Sequence, residues 1–434
     1  MDSQKIWYNS EQKGSCIVKI NICHKIKTGL SWARGVAETA AFPVRAVVTG
    51  IAAILSAVCP AIISAADYDV AAYVWPAYQP EPRWAELGIF KDGKGEWQNL
   101  YEAVDRLSED GRRGVRPLWG YEDESNPAVV ARKIDAATAA GVNVFIYDWY
   151  WYGGRPFLEK ALDEGFLKAS NCERMKFYLM WANHDVTKLW NNKVGGKEKE
   201  EVVWSAKVTE DEFRQIADRW IAKYFSRPNY YRIKGCPVLM IYNLEHFVSW
   251  DGAETAKRRL AWLRERVKAA GFPGLHLQRL GAAWDDKPDE FGFDSMTPYN
   301  WTSIAGERLW QADKPPLTYA EWGDLALGNF DRVKAKAAKT GAVFFPNLTC
   351  GWDTNPRFPS DCRQVTVRNA NPQDFERIAR RVKEWAEANL PADMPRLVTV
   401  NSWNEWTEGS YLEPDDRFGY GYLNALWRVF VMEK

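Results

Sequence analysis

Two glutamates three residues apart near the C-terminus, Glu405 and Glu408, lie in the run Asn401-Ser-Trp-Asn-Glu-Trp-Thr-Glu-Gly-Ser410. Partial burial between Trp403 and Trp406 raises a carboxyl's proton affinity, and the mutual field of two carboxylates pushes their titrations apart. One member can then stay protonated while the other is ionised, which is the division of labour that glycosidic cleavage requires. A spacing of three can place both on one face of a turn, but in a loop it fixes no distance between them. Glu413, just before Pro414, reads as a structural carboxylate. Asp148 is a further candidate, either as a base or as a group that orients a sugar hydroxyl, the second being favoured. His184 reads as a hydroxyl contact or a satisfied core histidine. No His or Cys cluster has metal-ligand spacing, so no metal is expected.

The aromatic content points to the same ligand class. The chain of 434 residues has 23 Trp, 19 Tyr and 19 Phe, more tryptophan than an aliphatic core needs. Flat aromatic faces with a polar edge suit sugar rings. The aromatics recur beside polar residues where strands should end: Tyr73, Trp75 and Tyr78; Asp148, Trp149 and Tyr150; Trp181, Asn183, His184 and Asp185; Tyr299 and Trp301; Trp352 and Asp353; Trp403, Asn404 and Trp406. This set is the expected substrate-binding rim.

The elements that must position these residues are legible as alternating short apolar runs and longer amphipathic ones, the form of repeated βα units. Strands are predicted at 70–74, 142–147, 176–181, 237–242, 275–280, 293–297, 342–346 and 397–400. Helices are predicted at 128–140, 156–168, 209–225, 254–270, 319–338 and 372–389. Near-continuous apolar strands are those of a parallel sheet buried on both faces. The count predicts a single α/β domain over 67–434, a (β/α)₈ TIM-type barrel with an extended insertion after its first strand, whose active site belongs at the carboxyl ends of the strands.

The remaining features bound the partners. Formal charge is zero with no basic stripe, so nucleic acid is not an expected partner. No glycine-rich phosphate loop follows a strand, so no nucleotide cofactor is expected. Residues 46–66 carry no charge and end in small residues, which predicts a secretory signal or, uncleaved, a membrane tether within an N-terminal extension over 1–66. The expected location is secreted, periplasmic or envelope-associated. Cys350 and Cys362 could clip one long loop in an oxidising compartment.

On these residues the chain resembles the WbsX-like proteins, a group similar to the endo-α-mannosidases of glycoside hydrolase family 99. The resemblance spans about 68–430 and rests on Ala72-Tyr-Val-Trp-Pro-Ala-Tyr78, Phe145-Ile-Tyr-Asp-Trp-Tyr-Trp-Tyr152, Met180-Trp-Ala-Asn-His-Asp185 and Trp403-Asn-Glu-Trp-Thr-Glu-Gly-Ser-Tyr-Leu-Glu-Pro414. It implies a retaining, endo-acting hydrolase without metal, with Glu405 as the base on the sugar's own 2-hydroxyl and Glu408 as general acid/base. Thr407 stands where those mannosidases have His, so the resemblance carries the reaction and not the sugar. The rival readings are a glycosyltransferase of surface-polysaccharide synthesis and a noncatalytic carbohydrate-binding protein.

Overall fold

Eight apolar runs become parallel strands: β1 (Asp69–Val74), β2 (Val144–Tyr152), β3 (Lys176–Trp181), β4 (Cys236–Ile241), β5 (His276–Leu280), β6 (Ser295–Thr297), β7 and β8 (Leu397–Asn401). β7 is one segment in two pieces, Val343–Phe344 paired with β6 and Asn347–Thr349 paired with β8. β8 pairs in turn with β1, which closes the barrel. The pieces meet at Pro346, which has no N–H for the ladder; its carbonyl accepts from Thr399 N at 3.1 Å. The computed structural model describes residues 68–106, 114–281, 291–305, 307–310, 314–362 and 364–433. The expected leader or tether at 46–66 lies outside them.

The helices begin where the sequence supplies caps. α1 (Trp97–Ala103) lies in the insertion after β1, and α2 (Pro127–Ala139) is capped by Asn126 with Pro127 in the first turn. α3 (Glu210–Trp220) has a capping box of Thr209 and Glu212. α4 (Leu244–Asp251) and α5 (Ala253–Ala269) lie between β4 and β5. α6 (Tyr319–Gly328), with a Thr318 and Glu321 box, and α7 (Phe330–Lys339) precede β7. α8 (Pro372–Asn389) precedes β8, and α9 (Gly421–Trp427) follows it. Phe375, Ile378 and Val382 form the buried stripe of α8. Each such side chain contributes roughly 1.5–3 kcal/mol against the outer wall of the barrel.

Three local expectations are corrected. β2 runs to Tyr152, past the predicted end at 147, because Gly153 and Gly154 at φ +58° and +76° turn the chain into a hairpin. Residues Arg155–Phe157 pair back antiparallel on Tyr150–Tyr152. That pairing consumes the start of the helix predicted at 156–168, and a single wide turn, Ala161–Phe166, remains. The expected clip does not form either: Cys350 and Cys362 are both free thiols.

The barrel interior is polar and hydrogen-bonded. Thr297 Oγ1 meets Thr399 Oγ1 at 2.7 Å, Asn347 Nδ2 donates to Thr399 Oγ1 at 3.0 Å, and Tyr178 donates to Gln278 at 2.9 Å. These are the inward residues of their strands, and satisfied polar pairs of this kind fix strand register.

Candidate active site

Alternation along each strand decides which predicted rim residues meet. On β2, Asp148 and Tyr150 face inward while Trp149 and Trp151 face the helices. Trp149 donates to Glu159 at 2.9 Å and packs edge-on against Trp220 of α3. Trp181 sits in the same outer layer, among Phe213, Trp220, Phe247 and Trp250. Trp301 is buried under α6 against Trp322, and Trp403 packs on Phe145 beside Lys133. The structure does not bring these four tryptophans to the carboxylates.

At the carboxyl rim, Glu405 and Glu408 do meet, across a cation that the sequence reading missed. Arg357, with 4% of its side chain exposed, donates from Nη2 to Glu405 Oε1 and from Nη1 to Glu408 Oε1, each at 2.6 Å. The other side of the fork is held by Glu96, which accepts from Nε at 2.7 Å and from Nη2 at 3.1 Å. Glu96 is fixed by Trp75 Nε1 at 2.5 Å. The turn Asn355–Arg357 that presents the guanidinium is built on Asp353, whose Oδ1 accepts from Asn355 N and Nδ2. Asp353 N also donates to Glu408 O at 2.6 Å. The loops after β1, β7 and β8 thus converge on one guanidinium. Both glutamates are tied to the two ends of a rigid planar fork, which supplies the fixed separation that a three-residue spacing in a loop does not.

Glu405 Oε2 accepts from Tyr299 at 3.0 Å, and Glu405 N donates to Ser402 Oγ at 2.7 Å. Burial raises the proton affinity of Glu405; the neighbouring Glu408 raises it further, and Arg357 opposes both. Burial raises Glu408 as well, again against Arg357. Asp148 is pushed well up by burial and by the fields of Glu405 and Glu408. Arg357 is locked in its charged form because three carboxylates outweigh its burial. Burial thus favours the protonated carboxyls and Arg357 the ionised ones, the opposition from which an acid/base pair is built.

Among the described residues several buried polar atoms here have no hydrogen-bond partner: Asp148 Oδ1, Glu408 Oε2 and both amide atoms of Asn401, the inward residue at the end of β8. Unmet polar groups at one rim are sites for ligand hydroxyls. Around them stand Trp75, which packs on Trp190 at 5.5 Å, and Tyr150, which meets Trp75 at 5.8 Å and His184 at 5.7 Å. His184 also faces Tyr242 at 5.3 Å, and burial lowers its proton affinity. Tyr73 packs on Tyr299 at 4.8 Å.

The other predicted residues serve the frame. Asn183 exchanges hydrogen bonds with the backbone of Asn243, and Asp185 accepts from Ala206 N and faces His246 Nε2 at 3.3 Å. Tyr78 stacks on Trp97 at 3.9 Å and accepts from Trp406 N. Asn404 clamps both backbone groups of Trp75 at 2.8 and 2.9 Å. Trp406 stacks on Tyr411 at 3.8 Å and donates to Glu413, the carboxylate read as structural. Trp352 and Asp353 line a separate cavity beside the Trp406–Gly409 turn. Among the described residues no group of His, Cys, Asp and Glu forms a metal cage.

A (β/α)₈ barrel with a buried carboxylate pair at the carboxyl rim of its strands is the architecture of glycoside-hydrolase-like proteins. Residues 70–426 match the model of the family described as "Glycosyltransferase WbsX", and the chain belongs to that family. Among curated proteins it is similar to the uncharacterized protein WxcX of two Xanthomonas campestris pv. campestris strains, at 27% identity over 341 residues. The match covers 77% of this chain and 46% of WxcX, so the chain spans about half the length of those relatives. Among solved structures it is similar to a glycoside hydrolase-like protein, with a TM-score of 0.55 and 15% identity over 84% of this chain and 94% of the other. It is also similar to the GH99 endo-alpha-mannosidase from Bacteroides thetaiotaomicron, with a TM-score of 0.50 and 14% identity over 83% and 96%. These likenesses establish a glycoside-hydrolase fold.

Proposed function

We propose that this protein hydrolyses glycosidic bonds within a polysaccharide or glycan, with Glu405 as base and Glu408 as general acid/base. The observation that carries the reading is the buried pair itself: two carboxylates of raised proton affinity, bridged by Arg357, beside unmet polar atoms at the barrel rim. In the first step Glu405 takes the proton of the sugar's 2-hydroxyl, and that oxygen bonds to the anomeric carbon. The glycosidic bond breaks as Glu408 protonates the departing oxygen. In the second step Glu408 takes a proton from water, the water oxygen attacks the anomeric carbon, the bond from that carbon to O2 breaks, and Glu405 returns its proton to O2. One water is consumed, and two inversions leave the configuration retained. Arg357 and Tyr299 donate to Glu405 and favour its ionised form, which the first step needs.

The test is incubation of the protein with a panel of α-mannans, rhamnans and bacterial polysaccharides, with NMR of the first anomer formed. New reducing ends in the retained configuration are expected. An inverted first product would remove the two-step scheme.

The second reading, a glycosyltransferase, is favoured by the family description alone. Release of the nucleotide from a nucleotide sugar, with no cleavage of any glycan, would establish it in place of hydrolysis.

A further inference from the structure

A cavity of about 370 Å³ opens between α1, the loop after β7 and the loop after β8. That volume falls within the roughly 300–1,000 Å³ of small-ligand sites. Trp406 and Gly409 wall it, but Glu96, Arg357, Glu405 and Glu408 do not, so it lies beside the reacting centre and is distinct from it. The separation is built in. Gly409 is left-handed at φ +63°, and a side chain there would press to 2.9 Å from Asp353 Cβ, so the two loops close on each other at the cavity wall.

The lining has two characters. One wall is aromatic: half-buried Trp352, Tyr411 stacked on Trp406, and Phe418 edge-on to Tyr422. The charged part of the lining is Arg106 and Arg368, both partly exposed, the exposed Arg417, and one carboxylate, Asp353, whose Oδ1 is taken up by Asn355 N and Nδ2. Arg106 Nη1 donates to the carbonyls of Asn355 and Phe358, at 3.3 and 2.6 Å. Arg368 donates from Nε and Nη2 to the carbonyl of Pro316, at 3.2 and 2.9 Å. Backbone carbonyls orient a guanidinium without neutralising it. The field of Arg368 reaches Glu321 on α6, but no ion pair with a carboxylate forms for either arginine among the described residues. Two oriented cations that line the same space as Trp352, Tyr411 and Phe418 are not what an apolar void or a closed ion network requires.

The geometry points to a second glycan site in this cavity, one that takes an acidic sugar. The apolar face of a pyranose ring meets the aromatic wall, and its carboxylate meets the guanidiniums, whose planar forks match a carboxylate. The ligand class is an oligosaccharide carrying hexuronate residues. The inference rests on the glycan-binding part of the proposed function and not on hydrolysis.

The experiment is calorimetry on the full chain with a glucuronate oligosaccharide, a neutral glucose oligosaccharide of equal length, and inorganic phosphate. The acidic oligosaccharide should bind at least tenfold tighter than the neutral one, and phosphate should not compete at matched concentration. Arg106→Gln and Arg368→Gln should each weaken it about tenfold, as loss of one charged hydrogen bond does. Arg368→Lys should recover part of that loss. Val104→Trp, which fills the space and keeps both arginines, should abolish binding, and Trp352→Ala, which removes a stacking face of the lining, should weaken it. Glu408→Gln should keep the acidic affinity whether or not the wild type turns over, which separates this site from the reaction. Equal affinity for the acidic and neutral chains, full competition by phosphate, or undiminished binding in both Val104→Trp and Trp352→Ala would overturn the assignment.

Discussion

Arg357 holds Glu96, Glu405 and Glu408, while Lys133 holds Glu124 and Glu413 and, through them, the two residues that flank Glu405. Asn404 Nδ2 donates to both oxygens of Glu124, and Trp406 Nε1 donates to Glu413 Oε2 at 2.8 Å. Both clusters are buried, and both brace the loop after β8. They differ in what is left over. In the Lys133 cluster each carboxylate is matched to the lysine and to a loop residue; Glu413 Oε1 faces Lys133 as an ion contact without hydrogen-bond alignment. In the Arg357 cluster three carboxylates share one cation, Asp148 adds a fourth acid nearby, and Glu408 Oε2 is unmet. A surplus of buried acid is poor architecture and suitable chemistry. The first cluster reads as a support and the second as a site.

The comparison breaks most readily on the glutamates themselves. Glu405→Gln and Glu408→Gln should each lower kcat on a cleaved glycan by roughly 10³-fold, within the usual reach of acid–base groups. Thermal unfolding should stay within a few degrees of the wild type. Wild-type turnover in either variant would move the chemistry elsewhere.

Arg357→Gln should lower kcat/KM by about 10²-fold, the scale of a lost charge-stabilising donor, and should also move its pH profile. Arg357 lowers the proton affinity of both Glu405 and Glu408. Without it the base stays protonated to higher pH, so the acid limb of kcat/KM shifts upward. An unmoved limb with the same loss of rate would make Arg357 a steric prop.

Lys133→Met should act on stability instead. It strands Glu124 and Glu413 without a cation, at a cost of about 3–5 kcal/mol, read from urea unfolding. Burial already holds Glu124 up to about 7, so the loss should be larger at pH 8, where that carboxyl is ionised, than at pH 6. The folded fraction should keep kcat within tenfold of wild type. A fall as large as that of Glu408→Gln would erase the distinction between the clusters.

Much of this arrangement was legible in the sequence, and the exceptions have physical causes. The barrel strands are continuous apolar runs, and α8 lies at 372–389 as predicted because Asn371 and Pro372 mark its start. The burial of the carboxylate pair was legible, but for the wrong partners: Trp403 packs on Phe145 and Trp406 on Tyr411, and the pair is instead enclosed with Arg357 and Tyr299. The aromatic rim was over-read, since residues that follow a strand were all assigned inward, whereas alternation sends Trp149 to Glu159 and Trp181 to α3. Glu96 and Arg357 escaped because they come from loops after β1 and β7, where no periodicity marks a buried position. The available signal was chemical: two carboxylates among tryptophans need a cation, and the Asn-Pro-Arg-Phe run between Gly351 and Cys362 offered one.

The smallest effect belongs to Tyr299→Phe. Its phenol donates to Glu405 Oε2 at 3.0 Å, and that bond favours the ionised carboxylate. Arg357 still holds Oε1, so the loss should be one neutral donor's share, about 1 kcal/mol, or five- to tenfold in kcat/KM. The sign of the pH effect matches that of Arg357→Gln: with a donor gone, Glu405 keeps its proton to higher pH, and the acid limb rises, here by less than in Arg357→Gln. Tyr150→Phe is the control. Among the described residues the Tyr150 phenol donates no hydrogen bond to Glu405, and the ring packs against Trp75 and His184 in the same aromatic set. The variant should weaken substrate binding and leave the acid limb in place. If both tyrosine variants move the limb equally, the phenols act through bulk burial of the site, and Glu405 has no dedicated donor beyond Arg357.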